Sequence, residues 1–182
     1  WTLEMLEYHM DLAIDSLEHA VNLGAKPDGV FLVEDLGGTH TTLISAESYR
    51  FFIKPLHKKM ADFCHAHGMK LFMHSCGKIE SFIPDFIDAG IDVIQAIQAN
   101  TGMDVVELKK KYPGKIVFWG NIAEASLAGT KEDIRKEIEY KVGNAKIGGG
   151  YIYHSDHSIP DEVSFENYMY LMEMLSLYGS YR

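Results

Sequence analysis

KLFMHSCGK, residues 70–78, is an apolar run that meets a histidine and a cysteine two positions apart and then gives way to glycine. The run KLFMH reads as a strand with His74 at its end, and the same alternation of strand and helix repeats on both sides of it. Upstream, GVFLVED (29–35) is a short apolar run closing on two acids, the pattern of a strand buried on both faces. Between the two strands, Ser45 can cap a helix on which Tyr49, Phe52, Ile53, Leu56, Met60 and Phe63 step by three and four until Gly68. Pro55 falls inside that helix and predicts a kink. Leu3, Leu6, Met10, Ile14, Leu17 and Val21 form an earlier helix that Gly24 stops.

Downstream, a helix from about Glu80 to Ala89 ends at Gly90, and IDVIQ (91–95) follows as a strand. A helix around Val105 to Lys111 leads to the strand KIVFWGN (115–121). Thr130 opens a helix carrying Ile134, Ile138 and Val142. The strand GGYIYHS (149–155) then precedes a last helix after Ser164, with Tyr168, Leu171, Met172, Leu175 and Tyr178 placed on one face. Five strands alternating with helices predict one parallel α/β domain over residues 1–182, since each crossover is long enough to be a helix. A doubly wound sheet and a (β/α)8 barrel both fit. A full barrel takes about 250 residues, so as a barrel this chain would be part of one.

A chain of 182 residues, 47% of them hydrophobic, can bury a sizeable core. It has no apolar run near the roughly 20 residues of a membrane span, and WTLEMLEYHM lacks the basic flank and apolar centre of a signal peptide. A soluble, cytoplasmic protein is expected. The net charge of -9 disfavours nucleic acid or an anionic membrane surface as partner. Arginine occurs only at Arg50, Arg135 and Arg182, which weighs against a substrate bearing many carboxylates. Of the two cysteines, Cys64 sits in a helical pattern as a buried small hydrophobe, and no disulfide framework is expected.

Polar residues collect where strands end: Glu34 and Asp35, His74 and Cys76, Gln95, Asn121, then His154, Asp156 and His157. In parallel α/β folds these ends form the binding face, so residues scattered along the chain should converge there. His74 and Cys76, at i and i+2 of an extended segment, point to the same side and could share one ion, although a histidine hydrogen-bonded at a strand end beside a packed thiol fits as well. Catalytic zinc takes three protein ligands, and the third would come from His154 or His157. His157 is favoured because DHSIP can turn over the mouth.

Glu34 or Asp35 is a candidate general acid or base. Neighbouring extended residues face opposite ways, so only one should point into the mouth, the other tying down the GGTHTT loop. Gln95, Asn121 and His154 are candidate substrate-binding residues. His65 and His67 are read as structural partners of a helix end and His40 as a loop residue. KIGGGY enters a strand instead of leaving one for a helix, the wrong orientation for a phosphate loop.

Four segments, VEDLGGTHTTLISAESYRFFIKPLHKK, HSCGKIESFIPDFIDAGIDVIQAIQ, VFWGN and GGGYIYHSDHSIPDEVSFENY, together resemble the uroporphyrinogen decarboxylase (URO-D) superfamily. That superfamily contains haem-pathway decarboxylases and zinc-dependent, cobalamin-linked methyltransferases. The resemblance implies a (β/α)8 barrel, with this chain similar to its C-terminal part and the N-terminal, arginine-bearing segment not represented. A partial barrel exposes strand edges and apolar surface, so a homodimer or a further partner segment is expected. The methyltransferase branch is similar at H-x-C-G, which matches His74 and Cys76. Its third zinc ligand, a cysteine in a glycine-cysteine-glycine turn, matches His157 here, and histidine is a competent zinc ligand.

True decarboxylases carry an Asp-Trp pair after the strand that here reads DVIQAIQ, and this departure counts against porphyrinogen chemistry. The resemblance therefore implies zinc at His74, Cys76 and His157, a small-molecule substrate and a corrinoid protein as methyl partner. The alternatives are metal-free uroporphyrinogen decarboxylation in tetrapyrrole biosynthesis, and a non-catalytic binding module.

Overall fold

Strand order separates the two architectures. In the computed structural model, which describes residues 1–181, five parallel strands lie in the order β1-β2-β3-β4-β5. They are β1 (Gly29–Val33), β2 (Lys70–Ser75), β3 (Val93–Ala96), β4 (Val117–Gly120) and β5 (Tyr151–Ile152). Parallel crossovers are right-handed, so an unbroken sequential order sends every helix to the same face, whereas a doubly wound sheet must reverse its order to cover both. The sheet is therefore an open arc of barrel type. Leu71, Met73, Ile94 and Phe118 are wholly buried on its helix-covered face. Residues of the other parity include Phe31 and Val33, 47% and 68% exposed.

The helices are α1 (Thr2–Asn22), α2 (Ala46–Ser48), α3 (Lys54–Ala66), α4 (Ile83–Ala89), α5 (Val105–Lys111), α6 (Glu124–Leu127), α7 (Lys131–Ala145) and α8 (Phe165–Tyr178). Several begin where a capping residue is written in the sequence. Ser45 accepts from the Ser48 N–H, Asp104 from Val106 and Glu107, and Ser164 from Asn167. Thr130 and Asp133 form a reciprocal capping box at α7. The kink expected at Pro55 takes a specific form: α2 widens into a π-helical turn over Tyr49–Ile53, and Pro55 stands in the first turn of α3. Proline has no N–H to donate backward, so the preceding turn relaxes to longer-range bonds.

Two expectations are corrected. β1 is not buried on both faces, because it pairs only with β2 and its second face looks onto the open side of the arc. On α8 the buried residues are Leu171 and Met174, with Tyr170, Leu175 and Tyr178 packed alongside, while Tyr168 and Met172 are exposed. Periodicity alone could not choose between two overlapping apolar stripes on a helix that is apolar nearly all round. The register then sets up the site: Val33, His74, Gln95, Trp119 and Ile152 pair successively across the sheet, forming one row on the open face.

Candidate functional site

His74, near the end of β2, and Cys76, just beyond it, share a side as the i, i+2 spacing requires, with His74 Nε2 3.2 Å from Cys76 Sγ. From the loop after β5, His157 brings its own Nε2 to 3.5 Å from the same sulfur. Asp35, beyond β1, places Oδ1 3.5 Å from His74 Nε2 and accepts the Cys76 N–H at 2.9 Å. Asp35, His74 and Cys76 offer ligand atoms within 4.8 Å of one another, and Glu124, Asp156 and His157 form a second such group, so His157 meets the first group only at the Cys76 sulfur. His74 Nδ1 donates to Gln95 Oε1, its neighbour in the row. Since an amide oxygen only accepts, this bond fixes the tautomer that leaves the Nε2 lone pair free.

Cross-links between loops hold these side chains in place. The Leu36 N–H donates to Ser75 Oγ at 3.0 Å, the Lys78 N–H to the Gly38 carbonyl at 2.8 Å, and the Gly77 N–H to Gln98 Oε1 at 2.7 Å. Ala99 N–H donates to Asp156 Oδ2 at 3.0 Å, and Asp156 N–H to the Ile122 carbonyl at 2.9 Å. All five strand ends are thereby tied together. Gly77 is obligatory in this arrangement: at φ +77°, a Cβ there would stand 2.2 Å from the Gly37 carbonyl group.

Burial first, then the Asp35 and Asp156 carboxylates, push the Cys76 thiol above its ordinary value, so without a cation it keeps its proton. A divalent ion would invert that balance. Burial and the neighbouring Asp156 likewise raise Glu124, which stands near the ring of His157.

The remaining predicted residues separate. Of the two acids only Asp35 joins the cluster. Glu34 turns to the helix side and meets His57 Nε2 at 2.9 Å, while His57 Nδ1 lies 2.9 Å from the Tyr49 hydroxyl, both rings being fully buried. Gln95 orients His74. His154 packs its ring edge-on to Trp119, with centroids 5.7 Å apart, on the open face. Asn121 is corrected from substrate binding to structure. It is fully buried, its amide donates to the Ile97 and Met103 carbonyls at 2.7 and 2.9 Å, and its oxygen accepts the Val105 N–H at 3.0 Å. Both amide hydrogens are spent on backbone carbonyls, and full burial closes the side chain to a ligand.

His65 is structural, paired to Asp92 at 2.8 Å, and His67 bonds the Phe63 carbonyl at 3.0 Å. His40 is an exposed loop residue. Glu124 had no local signal, since it opens a four-residue helix without a side-chain cap.

The model of the family "Uroporphyrinogen decarboxylase (URO-D)" matches residues 2–178. The chain belongs to the URO-D family. It is similar to a protein named uroporphyrinogen decarboxylase from Rickettsia rickettsii (strain Sheila Smith), 28% identical over 179 residues, covering 96% of this chain and 48% of that relative. Another of that name, from Hydrogenobaculum sp., is 31% identical over 93 residues, covering 51% of this chain and 26% of the relative. Among solved structures, a methyltransferase from Methanosarcina mazei superposes with a TM-score of 0.71 at 18% identity, over 98% of this chain and 50% of that one. This URO-D chain thus spans about half the length of the Rickettsia relative and of the methyltransferase, and the superposition carries the fold alone. Among the described residues no helix is long and apolar enough to cross a membrane.

Proposed function

We propose that this URO-D-family chain belongs to a zinc-dependent methyltransferase or demethylase that moves a methyl group between a small molecule and a corrinoid on a partner protein. The observation that carries the reading is the approach of two imidazole nitrogens, at 3.2 and 3.5 Å, to one cysteine sulfur. A sulfur and a nitrogen bound to one tetrahedral zinc stand about 3.5 Å apart, and a thiolate with two imidazoles suits a borderline-soft ion. His74 and Cys76, grouped with Asp35, would hold it, and His157, which meets this group only at the Cys76 sulfur, would have to close toward His74 to complete the set.

When bound, zinc supplies a Lewis acid for deprotonating an acceptor thiol or polarising a methyl ether oxygen. The chain's own residues do the rest. Gln95 keeps His74 in the ligating tautomer. Asp35 is exposed at the rim and anchored by the Cys76 N–H, and it would accept a proton from an incoming substrate. Phe31, Phe72 and Trp119 pack ring to ring beside His74 and provide an apolar floor for a methylated small molecule.

Elemental mass spectrometry on the purified chain is the direct test. About one zinc per chain, lost in Cys76→Ala, is the expected result. No zinc, and no uptake when zinc is added, would sink the reading. A second reading, decarboxylation of uroporphyrinogen, draws on the names of the sequence relatives. It requires cationic groups facing the substrate's carboxylates. Arg50 and Arg135, the arginines among the described residues, are instead engaged with Asp85 and with Glu132 and Glu139.

A further inference from the structure

We infer that Glu124 and Asp156 are positioning residues for His157: their carboxylates face its Nδ1 and so favour the tautomer that turns the Nε2 lone pair toward Cys76. The consequence for metal affinity rests on the zinc reading, but the tautomer is a property of the chain itself.

His157 Nδ1 lies 3.8 Å from both Glu124 Oε1 and Asp156 Oδ1, and the ring's other nitrogen is the one that approaches the Cys76 sulfur. The Asp156 side chain is only 5% exposed, and its Oδ1 has no hydrogen-bond partner among the described residues. A buried carboxylate oxygen left so is costly, and His157 Nδ1–H is the donor that faces it. Asp156 is not free to seek another partner, because Ala99 N–H holds its Oδ2 and its own N–H is bonded to Ile122. The backbone of His157 is held too, since Ser155 Oγ donates to its carbonyl. The cluster then has a neutral orienting group, Gln95, behind His74 and an anionic pair behind His157. Such carboxylates fix the ring's orientation as a ligand.

The test is two-bond proton–nitrogen correlation NMR on 15N-histidine-labelled chain at mildly alkaline pH, with His157 assigned from a His157→Gln spectrum. It is run on wild type, Asp156→Asn and Glu124→Gln, together with zinc affinity by chelator competition. Wild-type His157 should be the Nδ1–H tautomer. Asparagine keeps an acceptor for Ala99 but presents an NH2 to the ring, so Asp156→Asn should shift His157 toward Nε2–H. Each variant should lose about 10- to 100-fold in zinc affinity. An Nε2–H tautomer in wild type, or an unchanged tautomer in both variants, would overturn the inference. The expected tautomers without any zinc binding by wild type would instead overturn the metal reading and leave the positioning role standing. Glu124→Gln, at a less buried site, keeps the test open if Asp156→Asn does not fold.

Discussion

Replacing Asn121 by alanine strips two carbonyls and one N–H of their partners inside a fully buried loop junction. The expected cost is about 2–4 kcal/mol, read as a lower denaturant midpoint with an unchanged slope. A midpoint within error of wild type would return Asn121 to the list of substrate contacts. The two thiols give a second residue-level prediction. Cys64 is buried and pushed up to about 11 by burial and Asp92, while Cys76 is partly accessible and raised by burial and Asp35. In the metal-free chain, alkylation at neutral pH should therefore mark Cys76 alone, and slowly. The rate should climb as pH rises beyond the ordinary thiol range, and added zinc should suppress it, all read by peptide mass mapping. The pairing of His74 with Cys76 was legible from spacing, because extended i and i+2 residues share a side. The fate of Asn121 was not, because a polar residue at a strand end looks the same whether its amide faces a ligand or neighbouring carbonyls.

At the scale of elements, Asp85 on α4 fastens the π turn and α3 to the rest of the helical layer. It accepts from Arg50 Nε at 3.0 Å and from Lys54 at 2.8 Å, and these cations hold its carboxyl below the usual carboxylate range. A depressed folded pKa means stability that is present above the unfolded pKa and lost as pH falls through the folded one. Asp85→Asn should therefore be less stable than wild type at neutral pH, and thermal melts should show the gap closing in the acid range. A constant gap would mean the effect is packing and not charge. The Thr130→Ala variant, which breaks the capping box of α7, should cost about 1 kcal/mol in the same melts. Caps and stops such as Ser45, Thr130, Ser164 and Gly90 were readable because they satisfy groups within a turn of themselves. The π turn and the four-residue α6 were not, since long-range packing fixes both.

At the scale of the whole molecule, one face of the sheet is open. Phe31 and Val33 on the edge strand, with Ile152 at the far end of the row, are exposed apolar side chains beside unpaired strand edges. The isolated chain should self-associate with rising concentration in sedimentation velocity, and Phe31→Lys with Val33→Lys should weaken that association. A wild-type chain that stays monomeric at every concentration would contradict this. The sequence by itself determined the order of strands and helices, the parallel α/β class and the strand ends where polar residues gather, because these follow from local periodicity and capping. Through its quoted segments it also carried the family resemblance, which the match over residues 2–178 bears out. The strand order bears out the barrel-type arc that the resemblance implied; only the tertiary structure decided that β1 is half-exposed, and that Asp35 and not Glu34 joins the cluster. It alone brought Glu124 and Asp156 behind His157. Those outcomes depend on which strands pair and how loops from five strand ends bond to one another, contacts between residues up to 81 positions apart that no local pattern encodes.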